Sequence, residues 1–322
     1  APLSAADNRA LQAAVRGQGK DGGEGPARLM RRLQGDYSYL ELRRNPLLWL
    51  PLNGVLLWDL FFALRLERWQ AAVGPRLRGW LAAIGELEAR ASLASLGFDN
   101  PGWAWPELVE GPACLAAEDL GHPLLPPGRR VGNDVELPGP GRAWLITGSN
   151  MSGKSTLLRA IGLCHVMAQA GAPVCARRAR LSQLTLRTVM RVDDSLALGV
   201  SHFYAELRRL KDAVDAGRAE PPLCYLLDEI LHGTNTRERE LGARMVVKTL
   251  CRRGATGAVS THDLSLATLE EETGGAVRNV HFTEIVEGEE MRFDYRLRPG
   301  PVQTTNALRL MRQCGIDLDW EA

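Results

Sequence analysis

The chain has 322 residues, of which 45% are hydrophobic and 24% are charged. This is enough apolar material for one large domain or two modest ones, which excludes a peptide, a disulfide-stapled miniprotein and a disordered tail. Lysine and arginine total 39 against 38 acidic residues, so the net charge of +1 gives no overall field that attracts nucleic acid. A lysine at a chemically demanding position is informative, because the chain has only four: Lys20, Lys154, Lys211 and Lys248.

The six cysteines are scattered and form no C-x-x-C pair. A chain of this size needs no disulfides to stabilise its core, so a disulfide framework or a zinc site is not expected. This pattern is typical of a reducing compartment and predicts a cytoplasmic protein.

The first hundred residues have the spacing of helices. Residues 1–16 read as a short amphipathic helix, and residues 17–26 form a polar, glycine-rich linker. From residue 27 to about 96, apolar residues recur every three or four positions with charges between them. The sequence predicts an all-α region over residues 1–100, followed by a second domain over residues 101–322.

One stretch of the helical region, residues 47–64, is apolar enough to raise the question of a membrane span. Pro51, Asn53, Gly54 and Asp59 interrupt it, and an acid is costly inside a bilayer. We therefore predict a helix that is buried or faces a partner rather than one that crosses a membrane.

After residue 100, short β-type runs alternate with helical stretches. The helices are predicted to start near Lys154, Ser201, Thr236 and Thr304. Alternation of this kind predicts an α/β domain on a largely parallel sheet. The predicted strands cover residues 143–147, 184–192, 224–228, 257–261 and 277–286.

A glycine-rich loop lies between the first of these strands and its helix, with the pattern Gly148-x-x-x-x-Gly153-Lys154-Ser155. Its backbone N–H groups and the helix N-terminus suit phosphate oxygens, and a compact lysine ammonium fits where a planar guanidinium would not. The pattern predicts an ATP-binding loop, the alternative being a glycine-rich turn before an ordinary helix. The predicted nucleotide-binding residues are Gly148, Ser149, Asn150, Met151, Ser152, Gly153, Lys154, Ser155 and Thr156.

Two further strands are predicted to carry polar residues to the same sheet edge. Asp228 and Glu229 end one apolar strand, and His262 follows another. We predict Ser155 and Asp228 as Mg²⁺ ligands, and Lys154, Glu229 and His262 as catalytic residues, with Glu229 deprotonating the attacking water. Taken alone, His262 would read as a surface histidine at a strand end.

Four motifs stand out: GSNMSGKST at 148–156, DSLALGVSHFYAEL at 194–207, DEILHGTNT at 228–236 and STHD at 260–263. Together they resemble the ATPase domain of the MutS family of DNA mismatch-repair proteins, within the wider class of ABC-type ATPases. The resemblance implies an α/β P-loop NTPase fold preceded by lever-like and connector-like helices. It also implies ATP as the bound nucleotide and Mg²⁺ as its cofactor.

The resemblance further implies a homodimer with composite sites, in which Ser201 reaches the nucleotide of the partner subunit. From the residues alone, Ser201 can equally be a plain helix N-cap. The chain departs from the family pattern at His202, where threonine is usual, and at Asn235, where serine or threonine is common. Leu231 and His232 replace a usual glycine and a basic residue.

The family's mismatch-reading wedge is a Phe-x-Glu motif, and the only such triplet here starts at Phe282, inside a predicted strand. We expect that phenylalanine to be packed, and DNA binding to belong to a longer protein and to be weak or absent in this chain. Two other functions stay open. One is an ABC-type ATPase of a membrane-associated machine, and the other is a nucleotide-gated structural switch with negligible turnover.

Overall fold

A computed structural model describes residues 24–137, 139–190, 202–218, 220–231, 234–287 and 290–302 of the chain. These residues fall into two compact units that divide between residues 96 and 97. We call residues 24–96 the helical unit and residues 97–302 the sheet unit. The predicted helices at residues 1–16 and from Thr304 onward lie outside the described residues.

The elements of the helical unit are all helices. Helix α1 is Pro26–Leu40, a 3₁₀ turn covers Glu41–Arg44, α2 is Pro46–Leu56, and α3 is Trp58–Asp99, whose last residues belong to the sheet unit. Pro26 is therefore the first residue of α1 and not part of a linker. Asn45 caps α2 by accepting a hydrogen bond from the N–H of Leu47, and Leu57, with φ +49°, ends it in the left-handed conformation.

None of the side chains of α2 is buried, so the buried form of the helix predicted within residues 47–64 is wrong for α2, and the partner-facing form stays a prediction. No described helix is by itself long and apolar enough to cross a membrane. Helices α2 and α3 reach that length and composition only as a pair, and they meet at a bend of 78°.

The sheet unit is mixed α/β, as predicted, and its described residues contain two sheets besides the largely parallel one that was expected. The strands are β1 Glu107–Val109, β2 Leu115–Leu120, β3 Asn133–Leu137, β4 Ala143–Thr147, β5 Arg178–Ser182, β6 Thr185–Val189, β7 Leu223–Asp228, β8 Thr256–Ser260, β9 Val277–His281, β10 Glu284–Glu287, β11 Glu290–Phe293 and β12 Arg298–Pro299. The central sheet has the strand order β12-β9-β4-β8-β7-β6, with every pair parallel except β12 and β9. A second sheet has the order β1-β5-β2-β3 and is mostly antiparallel, and β10 and β11 form a separate antiparallel pair.

Four helices complete the unit: α4 Lys154–Gln169, α5 His202–Asp215, α6 Thr236–Arg252 and the short α7 Leu269–Glu272. The predicted strand over 277–286 is divided into β9 and β10. Phe282 lies between these two strands and is buried at 2% exposure, as expected of a packed phenylalanine.

Both faces of the central sheet are buried, which explains why its strands read as continuous apolar runs. Alternate residues of β4 point to opposite sides. Trp144 and Ile146 join the core cluster that contains Ile161 of α4, whereas Leu145 joins the cluster that contains Leu250 of α6. The carboxyl ends of β4, β7 and β8 therefore share one edge of a rigid sheet, where the loops that follow them are held close together.

Candidate functional site

The loop of residues 148–153 joins β4 to α4 and depends on glycine at both ends. Gly148 has φ +146°, and a Cβ there would lie 2.9 Å from the main-chain oxygen of Phe282. Gly153 has φ +109°, and a Cβ there would lie 3.4 Å from a ring carbon of Tyr295. Between them, Met151 is 84% exposed. The loop is thus a tight turn in which larger residues at either end would be strained.

Lys154, the first residue of α4, is folded back over this loop. Its side chain is only 4% exposed, and its Nζ donates hydrogen bonds to the carbonyl oxygens of Gly148 at 2.9 Å and Ser149 at 2.8 Å. Burial lowers the pKa of Lys154, and the carboxylate of Glu229, 3.6 Å from Nζ, opposes that shift. The Lys154 ammonium is therefore held beside the N-terminus of α4.

Ser155 and Asp228 are joined although they are far apart in sequence. The Ser155 hydroxyl donates to Asp228 Oδ1 at 3.0 Å, and the Ser260 hydroxyl donates to the same oxygen. Ser260 reaches Asp228 because the two residues are paired across the parallel strands β8 and β7. The sheet register therefore fixes the position of the carboxylate.

Glu229 follows β7 in a left-handed conformation, with φ +48°. Its N–H donates to the carbonyl oxygen of Ser260 at 3.1 Å, which ties the turn to β8. Its carboxylate oxygen Oε1 lies 3.6 Å from Lys154 Nζ and 3.6 Å from Nδ1 of His262. Lys154, Glu229 and His262, which come from three separate motifs, thus meet at one edge of the sheet.

A cavity of about 1410 Å³ opens beside these groups. Its walls include loop residues 150–156 together with Asp228 and Glu229, while His262 is not part of the lining. The hydroxyls of Ser149 and Ser152 are buried and have no hydrogen-bond partner among the described residues. Buried hydroxyls of this kind are costly unless a ligand or water bonds them.

The residue that sequence reasoning missed is Glu206 on α5. It is 5% exposed, lines the cavity, and its Oε1 accepts a hydrogen bond from the N–H of Leu231. Its other oxygen, Oε2, is buried with no partner in the part of the chain that the structure describes. In sequence, Glu206 is one more acid on an amphipathic helix, so only its burial distinguishes it.

Two of the departures from the family pattern, Leu231 and Asn235, have structural counterparts. Leu231 has φ +64°, a conformation in which glycine is unstrained and leucine is not. Its side chain is buried, and a Cβ on Gly242 would lie 2.6 Å from Leu231 Cδ1, so glycine at 242 makes room for leucine at 231. Asn235 caps α6 by accepting a hydrogen bond from the N–H of Glu238 at 2.9 Å, and asparagine, serine and threonine are all favoured residues for an N-cap.

Two residues singled out in the sequence, Ser201 and His232, lie outside the described residues. Helix α5 begins at His202, the residue after Ser201.

The donor set can be tested against the predicted Mg²⁺. The described residues contain no group of three or more His, Cys, Asp or Glu side chains arranged to hold a metal ion by themselves. Mg²⁺ prefers oxygen ligands, and it commonly takes one or two protein groups together with phosphates and waters. The Ser155 hydroxyl and the Asp228 carboxylate, already in contact, fit that requirement.

Comparison with known proteins gives one consistent family. Residues 144–317 match the family described as MutS domain V. The chain is 33% identical over 241 residues to "DNA mismatch repair protein MutS" of Chlorobium phaeovibrioides, which covers 73% of this chain and 27% of that protein.

Two other relatives carry the same name. The one from Brevibacillus brevis is 36% identical over 227 residues, or 68% of this chain and 26% of that protein. The one from Sorangium cellulosum is 33% identical over 261 residues, or 78% of this chain and 28% of that protein. The chain therefore spans about a quarter of the length of these curated relatives.

Proposed function

The chain belongs to the MutS family, and from this premise we propose that its sheet unit is a P-loop ATPase that binds and hydrolyses ATP with Mg²⁺. The single observation that carries the proposal is the meeting of Lys154, the Ser155–Asp228 pair and Glu229 at one sheet edge beside a cavity. Phosphoryl transfer needs mainly positioned charge, and these groups supply it.

Each residue has a role that follows from its contacts. The Lys154 ammonium now bonds loop carbonyls, and it would exchange these for phosphate oxygens, which carry full negative charge. The orphaned hydroxyls of Ser149 and Ser152 would gain partners on the same ligand. Ser155 and Asp228 would hold Mg²⁺, which when bound neutralises charge that develops on the phosphates.

Glu229 is the group best suited to act as general base. Its carboxylate lies beside Lys154, and its backbone is fixed to β8 through Ser260. A proton taken from the attacking water would rest on this carboxylate, and His262, 3.6 Å away, would orient it. His262 thus acts through Glu229 rather than on the nucleotide.

We further propose that the active form is a homodimer in which Ser201 completes the partner's site, and that the chain belongs to the cytoplasm. The relatives' printed name, DNA mismatch repair protein MutS, supports coupling of ATP state to DNA repair. That coupling would belong to a longer protein containing this chain, because the chain spans only about a quarter of the relatives' length.

The test is Mg²⁺-dependent ATP hydrolysis by the purified chain. Lys154→Ala should lower turnover by roughly 100-fold or more, because it removes a positioned cation from the transition state. Lys248→Ala is the matched control, since Lys248 contacts Glu272 on the surface and does not line the cavity. Equal activity in both variants would contradict the proposal.

Subunit mixing tests the composite site. Lys154→Ala and Ser201→Ala should each be inactive alone, whereas a mixture should regain about a quarter of wild-type turnover, because half the dimers are mixed and carry one intact site. A mixture that stays inactive, or Ser201→Ala that is active alone, would contradict action in trans.

A further inference from the structure

We call the surface formed by residues 45–64 the apolar bend. Most of its large apolar side chains are exposed, whereas a water-soluble protein usually buries such side chains. The bend contains α2, Leu57 and the first two turns of α3. Leu47 is 87% exposed and Val55 80% exposed. Other large apolar side chains in it that are at least 45% exposed are Leu48, Leu50, Leu56, Leu57, Leu60, Phe61 and Leu64.

The polar groups of the bend are turned towards each other. Asp59 is the only charged residue in this stretch, and the indole N–H of Trp49 lies 3.2 Å from each of its carboxylate oxygens. Nε of Arg43 lies 3.5 Å from the same carboxylate. The side chain of Asn53 accepts a hydrogen bond from the N–H of Asp59 at 3.0 Å, at the point where α2 ends.

This arrangement lowers the cost of placing the bend in an apolar medium. Polar groups are expensive there unless they are hydrogen-bonded, and a charge unless it is also paired. Asp59 meets both conditions, through the hydrogen bond from Trp49 inside the bend and the ion pair with Arg43 just before it. In water the same arrangement gains little, because the carboxylate would be solvated without help.

The distribution of apolar side chains decides between lipid and protein as the partner. Successive helical residues are about 100° apart, so Leu47, Leu48, Leu50 and Leu56 point to different sides of α2. A protein partner covers one stripe of a helix, whereas lipid chains surround it. Trp49, Leu52 and Asn53 form a half-buried stripe, and the exposed side chains cover the wider remaining part of the helix surface, which favours lipid.

The residues on either side of the bend fit the boundary of a bilayer. The exposed residues Arg44 and Arg68 flank the stretch, and arginine at the membrane surface attracts anionic headgroups. Helix α2, with 11 residues, rises about 16 Å and is too short for a hydrocarbon core of about 30 Å.

We propose that the apolar bend inserts into one leaflet of an anionic membrane and holds the protein at the membrane surface. This membrane attachment does not cross the bilayer, and it does not depend on the ATPase assignment. The probe is flotation of the whole chain with vesicles of phosphatidylcholine and phosphatidylglycerol, compared with phosphatidylcholine alone. We expect the wild-type chain to float with the mixed vesicles and to float less with the neutral ones.

The decisive variant is Leu47→Glu with Val55→Glu, two exposed positions where charge does not disturb a core. It should reduce the vesicle-bound fraction at least tenfold. Leu81→Glu, in α3 outside the bend and 66% exposed, should bind like the wild type.

Three results would overturn the proposal. They are a wild-type chain that stays unbound, a double variant that floats as well as the wild type, and equal loss in Leu81→Glu. Sedimentation in the absence of vesicles tests the other occupant. A dimer that the double variant dissolves, together with no flotation, would assign the bend to a second copy of the chain.

Discussion

The sheet unit and the apolar bend use similar residues in opposite ways. In the central sheet, strands such as β4 and β7 bury their leucines on both faces and carry polar groups to one edge. In the bend, leucines are exposed, and the carboxylate of Asp59 accepts a hydrogen bond from Trp49 of the same stretch. An apolar run in this sequence can therefore be either a buried strand or an exposed helix. The hydrogen-bond partners of the nearby polar groups distinguish the two cases.

The largest expected effect comes from replacing one leucine by alanine in each of the two regions. Leu226→Ala, at a fully buried position of β7, should lower the free energy of unfolding by about 2–5 kcal/mol because it leaves a cavity. Leu47→Ala should change it by less than about 0.5 kcal/mol, since that side chain is exposed. Urea unfolding measures both, and equal costs would show that the bend is packed in water.

A second stability test concerns the coupled pair Leu231 and Gly242. Gly242→Ala should cost about 1–3 kcal/mol, because the new methyl group meets Leu231 Cδ1 in a buried place. In a Leu231→Gly background the same change should be neutral or stabilise by up to about 1 kcal/mol, the helix preference of alanine. Gly85→Ala, a helical position with open space around it, is the control. Additive costs in the double-mutant cycle would contradict the coupling.

A third test concerns the buried carboxylate of Glu206. Glu206→Ala removes the acceptor that holds the N–H of Leu231 beside the catalytic turn, so kcat for ATP hydrolysis should fall about tenfold with little change in KM. Glu206→Gln keeps a carbonyl oxygen and should restore most of kcat.

The control for that test is Lys211→Ala, an exposed change on the same helix. If glutamine were no better than alanine at position 206, or if alanine left kcat unchanged, the positioning role of Glu206 would be refuted.

The smallest expected effect is the acid dependence of a surface cluster. Hydrogen bonds from Lys248, then from Thr268 and Arg244, lower the pKa of Glu272 from 4.5 to about 2. The ionised form therefore stabilises the fold above pH 4.5, and this contribution is lost as the pH falls towards 2.

Urea midpoints at several pH values check this dependence. Glu272→Gln should be less stable than the wild type at pH 7, and the difference should close towards pH 2. Glu271→Gln, an exposed neighbour on α7, should show a smaller difference. A gap between Glu272→Gln and the wild type that stays constant with pH would contradict the assignment.

Much of the sheet edge could be predicted from sequence, because its signals are local. Strand β4 covers the predicted residues 143–147, α4 begins at Lys154, and Asp228 ends β7. In each case an apolar run ends where glycine or a polar group begins. The family membership followed from the same motifs.

What the sequence did not predict depends on contacts between distant residues. Glu206 meets Leu231 only through the packing of α5, and Tyr295, more than a hundred residues further along, limits the space for a side chain at Gly153. The second sheet was missed because β1 pairs with β5, which lies some seventy residues further along the chain. The sequence left open whether α2 is buried or faces a partner, because an apolar helix has the same composition in both cases.

The most direct test of the central claim is the Glu229→Gln variant, assayed for ATP binding and for ATP hydrolysis in the same preparation. The amide keeps the shape of the side chain but cannot take a proton. We predict that ATP affinity is retained while Mg²⁺-dependent turnover falls by roughly 100-fold or more. Full turnover in this variant would contradict the assignment of Glu229 as general base, and with it the proposed mechanism.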